Sequence, residues 1–277
     1  MIDIIKTYSK IPNIKGKNFI GSWLIDFFEL KHPQTQSMIH HFKLNLDLND
    51  RIQRQMYIKR IYEQATVENL IPFLKTSRVF FDIGANIGYF SFLAASVNPQ
   101  LKIFSFEPLP KNISSIKKNM ELNPNAKINL IESCLSDQKG EIEFSIPPEG
   151  ECGWGRISYK DMFDNNKIVR PVQTIDDFCN TNAIDRVDFI KMDIEGFEFH
   201  VLRGASELLS RQNAPNMCIE MNDICFKDMG IDIMDIFSFL KERKYKLFYI
   251  DKNHDLKPTE APVTQNSGWN YFALKQK

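Results

Sequence analysis

The sequence predicts an α/β fold: a mostly parallel sheet of seven strands with helices on both faces, preceded by a helical extension. Three observations carry this. From residue 79 onward, short runs rich in Val, Ile, Phe and Tyr alternate with amphipathic stretches, the pattern of successive βαβ units. The first run, Val79-Phe-Phe-Asp-Ile83, enters a loop with glycines at 84 and 88. The apolar helical stretch Tyr89–Val97 follows at once, so strand, tight turn and helix stand in the order of a nucleotide-type fold. The chain has 277 residues and is 43% hydrophobic, enough for one large domain or a domain with an extension.

Taken in order, residues 1–75 form an N-terminal extension or cap and residues 76–277 the α/β domain. In the extension, Phe19–Leu30 and Arg51–Leu74 read as helices, the second with Ile58, Ile61, Tyr62 and Val67 near helical spacing. Residues 31–50 are mixed and hold His32, His40 and His41. The extension reads either as a substrate-side cap or as helices that simply pack on the sheet. Strand one is 79–83. The helix Tyr89–Val97 stops before Pro99. Strand two is Lys102–Phe106, the next helix Pro110–Leu122 ends at Asn123-Pro124, and strand three is Ile128–Glu132. Glu141–Ile146 alternates in polarity, as a hairpin arm off the sheet would, and 147–167 is a long loop rich in Gly, Pro, Asn and Asp. Thr174 caps a short helix to Asn180. Val187–Met192 and Met217–Met221 are strands four and five, with a helix over Glu198–Ser210 between them. An amphipathic helix Ile231–Arg243 precedes strands Lys246–Ile250 and Tyr271–Leu274.

Composition narrows the function classes. Lys plus Arg equals Asp plus Glu at 35 each, so no net charge draws the chain to nucleic acid or an anionic surface over long range. Five cysteines, Cys134, Cys152, Cys179, Cys218 and Cys225, make an odd number without a metal-type C-x-x-C pair, which reads as reduced thiols in a cytoplasmic protein. The N-terminal Met-Ile-Asp-Ile-Ile-Lys is too charged for a signal peptide. No run reaches the ~20 apolar residues of a membrane span.

The glycine loop suggests a particular ligand. A nicotinamide or flavin loop reads G-x-G-x-x-G; here Asn86 stands at the middle glycine and Tyr89 at the third. Asp82 just upstream opposes a diphosphate but suits a cationic amino-acid group. S-adenosylmethionine carries an ammonium and a sulfonium, so D-x-G-x-N-x-G fits it better. A branched residue at Gly84 is expected to block that ligand with the fold retained. Glu107, ending strand two before Pro108, can accept hydrogen bonds from both ribose hydroxyls; the alternative is a carboxylate favoured at a helix start. The loop Ser133–Asp137 then flanks the adenine.

A second cluster, Lys191-Met-Asp-Ile-Glu-Gly-Phe-Glu198, follows an apolar strand. In extended chain Lys191, Asp193 and Glu195 point to one side. Charges converging at a strand end are costly unless paired or used. They can position an acceptor, steer a cationic cofactor or bind metal, or else merely close the strand and cap a helix. Asp193 with Glu220 or Asn222 is an oxygen-rich set of the kind Mg²⁺ takes. None of the five histidines, His200 included, is singled out as a general base. Trp154, Arg156 and Tyr159 in the long loop are candidates to meet the acceptor.

Together these residues resemble the FkbM-type family of S-adenosylmethionine-dependent methyltransferases. The matching pieces are Phe81-Asp-Ile-Gly-Ala-Asn-Ile-Gly-Tyr89, Phe106-Glu-Pro108, Leu135-Ser-Asp137 followed by Gly140, and Thr174-Ile-Asp-Asp177. They continue through Ile190-Lys-Met-Asp-Ile-Glu-Gly-Phe-Glu198, Val201-Leu-Arg-Gly-Ala205 and Ile219-Glu220 in matching order, covering about residues 79–222, and loosely Asn270–Ala273. The resemblance implies a Rossmann-like class I methyltransferase fold and methyl transfer to a hydroxyl of a small molecule, sugar or glycan. It implies cofactor contacts from Asp82, Gly84, Ala85, Asn86, Gly88, Tyr89, Glu107, Pro108, Leu135 and Ser136, and a reaction centre of Lys191, Asp193 and Glu195. Mg²⁺ is an optional companion, and the extension a candidate homodimer contact. Residues 1–75 match no known pattern. The rivals are a nicotinamide oxidoreductase, a methyltransferase acting on nucleic acid or protein, and a non-catalytic interaction module. Asp193-Ile-Glu-Gly196 stands where nucleic-acid enzymes carry an Asn/Asp-Pro-Pro-aromatic motif.

Overall fold

The computed structural model describes residues 2–30, 34–145, 167–263 and 270–276. His32, Cys152, Trp154, Arg156 and Tyr159 lie outside them. The extension opens with α1 (Ile2–Ser9) and α2 (Lys17–Phe27), then a hairpin of β1 (Gln34–Ser37) and β2 (Lys43–Leu46), then α3 (Arg51–Lys59) and α4 (Gln64–Thr76). Two expectations are corrected here. Residues 34–46 pair as an antiparallel hairpin, Gln36 opposite Leu44. The single helix over 51–74 is two. Asp50 caps α3 by accepting the Ile52 and Gln53 N–H groups at 2.9 and 2.8 Å. Arg60 and Glu63 adopt positive φ, 61° and 42°, and turn the chain before α4 starts. Apolar spacing shows which face is buried; it does not show a bend between two helices that share a face.

The α/β domain continues with β3 (Val79–Ile83), α5 (Tyr89–Val97), β4 (Lys102–Phe106), α6 (Pro110–Leu122), β5 (Ile128–Ile131), β6 (Cys134–Leu135), β7 (Gly140–Ser145) and β8 (Lys167–Gln173). Then follow α7 (Ile175–Thr181), β9 (Phe189–Met192), α8 (Glu198–Arg203), α9 (Ser206–Ser210), β10 (Asn216–Glu220), α10 (Asp223–Asp228), α11 (Ile233–Glu242), β11 (Tyr245–Ile250), β12 (Leu256–Thr259) and β13 (Asn270–Lys275). The main sheet has eight strands in the order β12-β11-β13-β10-β9-β3-β4-β5. Its centre, β10-β9-β3-β4-β5, is parallel, and β13 runs antiparallel between β10 and β11. The strand beyond the expected seven is β12, whose Pro258 an edge strand tolerates. Arm β7 pairs with β8 and, with β6, makes a separate three-stranded sheet.

Strand residues alternate between two apolar layers, as period-two side chains must. Phe81, Ile83, Phe104, Phe106, Ile190 and Met192 face a core built with α7, α8, α9 and α11. Phe80, Ile103, Phe189, Cys218 and Phe272 face the opposite core, shared with α4, α5 and buried residues of the extension such as Leu44, Tyr57 and Val67. The helix expected over Glu198–Ser210 breaks between α8 and α9. There the Ser136 carbonyl comes so close to Gly204 that a Cβ would lie 1.9 Å from its oxygen. Cys134, Cys179, Cys218 and Cys225 are buried thiols.

Candidate active site

At the carboxyl ends of β3, β4 and β9 a cleft opens between the two layers. Ligands of open α/β sheets gather at this edge, outside the carboxyl ends of the strands. The structure brings Gly84, Ala85, Asn86, Tyr89, Glu107, Pro108, Leu135, Asp193 and Glu195 to its wall. Asp82, Gly88, Ser136 and Lys191 stand behind that wall.

The glycine loop is held by its own amides. The Gly84 and Ala85 N–H groups donate to the Phe106 carbonyl at 3.0 and 3.1 Å, and the Gly88 N–H to the Ala85 carbonyl at 2.7 Å. Asn86, at φ 52°, donates its N–H to Glu107 Oε2 at 2.8 Å. Amides spent in this way do not form a cradle for a diphosphate. Glu107 is buried and also accepts the Leu109 N–H at 2.9 Å through Oε1. Burial pushes its carboxyl up to about 7, against the pull of those two amides. Each oxygen keeps acceptor capacity beyond its one amide. Asp82 lies under the sheet, where it accepts the Ser91 hydroxyl, and burial pushes it up to about 6. Its side chain is therefore not among the groups that line the cleft. Leu135 lines the cleft, whereas Ser136 is tied to β8 by its N–H to the Gln173 carbonyl at 2.9 Å.

The second cluster is only partly what extended geometry suggests. Lys191 is 1% exposed and turns toward the extension's side of the sheet, with Nζ 3.5 Å from Asp193 Oδ2 and 5.2 Å from the Phe90 ring centroid. Burial disfavours the Lys191 ammonium, yet Asp193, Cys218, Glu63 and Glu220 together hold its pKa above the ordinary lysine value. Beyond β9 the chain turns at Glu195 (φ 55°) and Gly196 (φ 104°). That turn folds Glu195 back, so that Asp193, Glu195 and Glu220 each place an oxygen within 4.8 Å of the others. Burial and the adjacent Asp193 raise the Glu220 carboxyl, while Lys191 and the hydrogen bond from Glu220 offset burial and lower Asp193. The two carboxyls therefore titrate as a coupled pair, with Glu220 the member that favours its proton and Asp193 the member that favours its charge. Asn222 is not part of it: its side chain caps α10 by accepting the Ile224 N–H at 3.1 Å.

Several site groups escaped the sequence reading. Tyr62 and Asn112 line the cleft. Glu63 projects toward Lys191 from the turn before α4, and Asn270 Nδ2 donates to its Oε2 at 3.0 Å. No local motif marks Glu63. The available signal was indirect, in the matched segment at Asn270. His200 sits outside the cleft, stacked on Phe197 with centroids 4.4 Å apart and 3.3 Å from Asp137.

Glu198 shapes the turn. It is 1% exposed and accepts the Ile194 and Gly196 N–H groups, each at 2.9 Å. Burial pushes its carboxyl up to about 8 from an ordinary 4.5. The folded state then binds this proton more tightly than the unfolded chain. The stability it brings is complete below about 4.5 and lost as pH rises through about 8. Glu198→Gln should therefore gain in melting temperature relative to wild type between about pH 5 and about pH 8. A pH-independent difference between the two melting curves would contradict this.

The Methyltransferase FkbM domain matches residues 82–247 of the chain. The chain is similar to the hexuronic acid methyltransferase AglP of Haloferax volcanii, 25% identical over 193 residues, covering 70% of this chain and 74% of that protein. It is also similar to the 2-O-methyltransferase NoeI of Sinorhizobium fredii, 28% identical over 151 residues, covering 50% of this chain and 61% of that protein. Among solved structures, an S-adenosylmethionine-dependent O-methyltransferase from Thermotoga maritima aligns with a TM-score of 0.42 and 11% identity, over 92% of this chain and 82% of that one.

Proposed function

The chain belongs to the FkbM methyltransferase family, and we propose that it transfers the methyl group of S-adenosylmethionine to a hydroxyl of a sugar, glycan or other small molecule. The names of the two relatives, acting on a hexuronic acid and at a 2-O position, favour a carbohydrate acceptor. The observation that carries the reading is that one cleft has the buried carboxylate Glu107 in its wall together with the Asp193–Glu195–Glu220 cluster. The donor set fits the cofactor: the charged side chains on this wall are carboxylates, the loop amides are internally satisfied, and the remaining wall includes Ile83, Leu135 and Phe197.

In this reading Glu107 holds the ribose hydroxyls, Gly84–Asn86 with Tyr89 border the amino-acid end, and Pro108 and Leu135 flank the base. Asp82 and Gly88 act from behind, by charge and by loop shape, and Ser136 by fixing Leu135. When bound, the cofactor supplies an electrophilic methyl on a sulfonium. Asp193 would accept the hydrogen bond of the acceptor hydroxyl and take its proton as the methyl passes from sulfur to that oxygen and S-adenosylhomocysteine leaves. A weak base suffices, because the hydroxyl turns strongly acidic as its oxygen gives up electron density. Lys191 and the protonated Glu220 keep Asp193 in place, and Glu195 positions the acceptor. The extension, through Ile52, Met56 and Tyr62, roofs the cleft and limits water.

Calorimetry with S-adenosylhomocysteine tests the reading, and no binding at millimolar ligand would overturn it. Glu107→Ala should weaken that binding on the order of 100-fold, the worth of two hydrogen bonds to a charged acceptor. An unchanged affinity would remove Glu107 from the site. A second reading rests on the same three carboxylates: Asp193, Glu195 and Glu220 offer Mg²⁺ one oxygen each, in competition with the Glu220 proton and the Lys191 ammonium. If Mg²⁺ assists, EDTA abolishes turnover and Mg²⁺ restores it; full activity in EDTA discards the metal.

A further inference from the structure

The extension carries an apolar surface that the cleft does not use. Phe19, Ile20, Trp23 and Phe27 of α2 are 79, 50, 56 and 65% exposed, and Trp23 stacks on Phe27 with centroids 5.2 Å apart. Their spacing places them on one helix stripe. The opposite stripe is committed to the fold: Gly21 lies against Ile58 of α3, and Ile25 is buried. Ile11 and Ile14 of the preceding loop are exposed as well. That loop is fixed, because Lys17 turns inward and donates to the Ser9 carbonyl at 2.9 Å and to Asn13 Oδ1 at 3.1 Å. A contiguous patch of this kind on a globular protein marks an interaction site.

We propose that this face of α2 docks on an anionic lipid surface. The charges around it decide the partner. Lys10 and Lys15 are exposed on the loop, and Lys59 and Arg60 at the end of α3 lie close by, Asn13 reaching the Lys59 carbonyl at 3.4 Å. The carboxylate at the edge of the stripe, Asp26, is engaged by Arg54 at 2.9 Å, and Glu29 stands beyond the helix end. Aromatic and aliphatic residues on one face, with exposed lysines at its loop end, are the chemistry of a helix lying in the headgroup layer. The patch and its flanks carry a surplus of cationic groups that a second copy related by a two-fold axis leaves unneutralised. An anionic headgroup layer neutralises it. Helix α3 underlies α2 and also lends Ile52 and Met56 to the cleft wall, so the docking face is one helix away from the cleft. This inference is independent of the methyl-transfer reading.

The test is sedimentation of the full chain with vesicles of phosphatidylcholine alone or mixed equally with phosphatidylglycerol. Wild type should partition at least about tenfold more strongly to the mixed vesicles and lose this preference in high salt. The double variant Trp23→Ser/Phe27→Ser should lose at least about tenfold, and Lys10→Glu and Lys15→Glu about fivefold or more each. Circular dichroism and S-adenosylhomocysteine calorimetry should be unchanged in all of these variants, so failure to dock and failure of the methyl-transfer reading are told apart. Wild type that ignores both kinds of vesicle, or variants that bind as wild type does, would overturn the proposal. So would sedimentation equilibrium showing a dimer that Trp23→Ser/Phe27→Ser dissociates.

Discussion

Gly84→Val is expected to lower the melting temperature by roughly 10 °C and to abolish S-adenosylhomocysteine binding. A Cβ at residue 84 would lie 1.9 Å from the Asp193 carbonyl oxygen and 2.9 Å from its carbon. Both are backbone atoms, and the Asp193 N–H is itself bonded to the Ile83 carbonyl at 3.0 Å, so the ends of β3 and β9 must part. Gly84 also sits at φ 78°, which a β-branched residue rarely adopts. Backbone strain of ~1–3 kcal/mol adds to the overlap, and a total of about 4 kcal/mol corresponds to the stated shift in a chain of this size. Sequence alone suggested that a side chain here would block the ligand and spare the fold. The structure corrects this: the atom nearest the missing Cβ belongs to the protein. Thermal melts with and without ligand check the point, and a variant with wild-type melting temperature would refute the loop contact.

Asp193→Ala is expected to lose activity by 10²–10⁴-fold and stability by about 3 kcal/mol together. It removes the proposed proton acceptor and also leaves the Lys191 ammonium, 1% exposed, without its nearest carboxylate. Lys191→Met/Asp193→Asn separates the two effects. With no buried cation left unpaired, its melting temperature should return toward wild type while turnover stays low. If the double variant regains turnover, Asp193 serves the fold and not the reaction. If Asp193→Ala keeps its rate, the charge cluster has no part in the chemistry.

The order of the parallel units, the βα turn at 84–88 and the carboxylates at the ends of β4 and β9 were legible because each depends on local rules. These are strand runs of period two, glycine in a tight turn, and charged residues ending an apolar strand. The same rules missed what packing supplies. The bend at Arg60–Glu63 occurs without glycine or proline. Strands β8 and β12 contain Pro171 and Pro258, which argue against a strand unless an edge or hairpin position is known. Extended geometry placed Lys191, Asp193 and Glu195 on one side of the strand end. In the structure Lys191 is sealed beneath the extension, and the turn at 195–196 redirects Glu195 toward β10.

From the sequence alone the chain is an α/β protein of the FkbM methyltransferase kind, with a loop unsuited to a diphosphate and an acidic strand end facing it. Those are matters of residue type and short spacing. The tertiary structure decided that Gly84 yields space to the Asp193 carbonyl, that Glu63 joins Lys191 from a segment remote in sequence, and that Asp193 and Glu220 lie close enough to couple their titration. Each depends on a distance through space between segments remote in sequence, and on how completely packing removes water from a charged group. Residue order records neither.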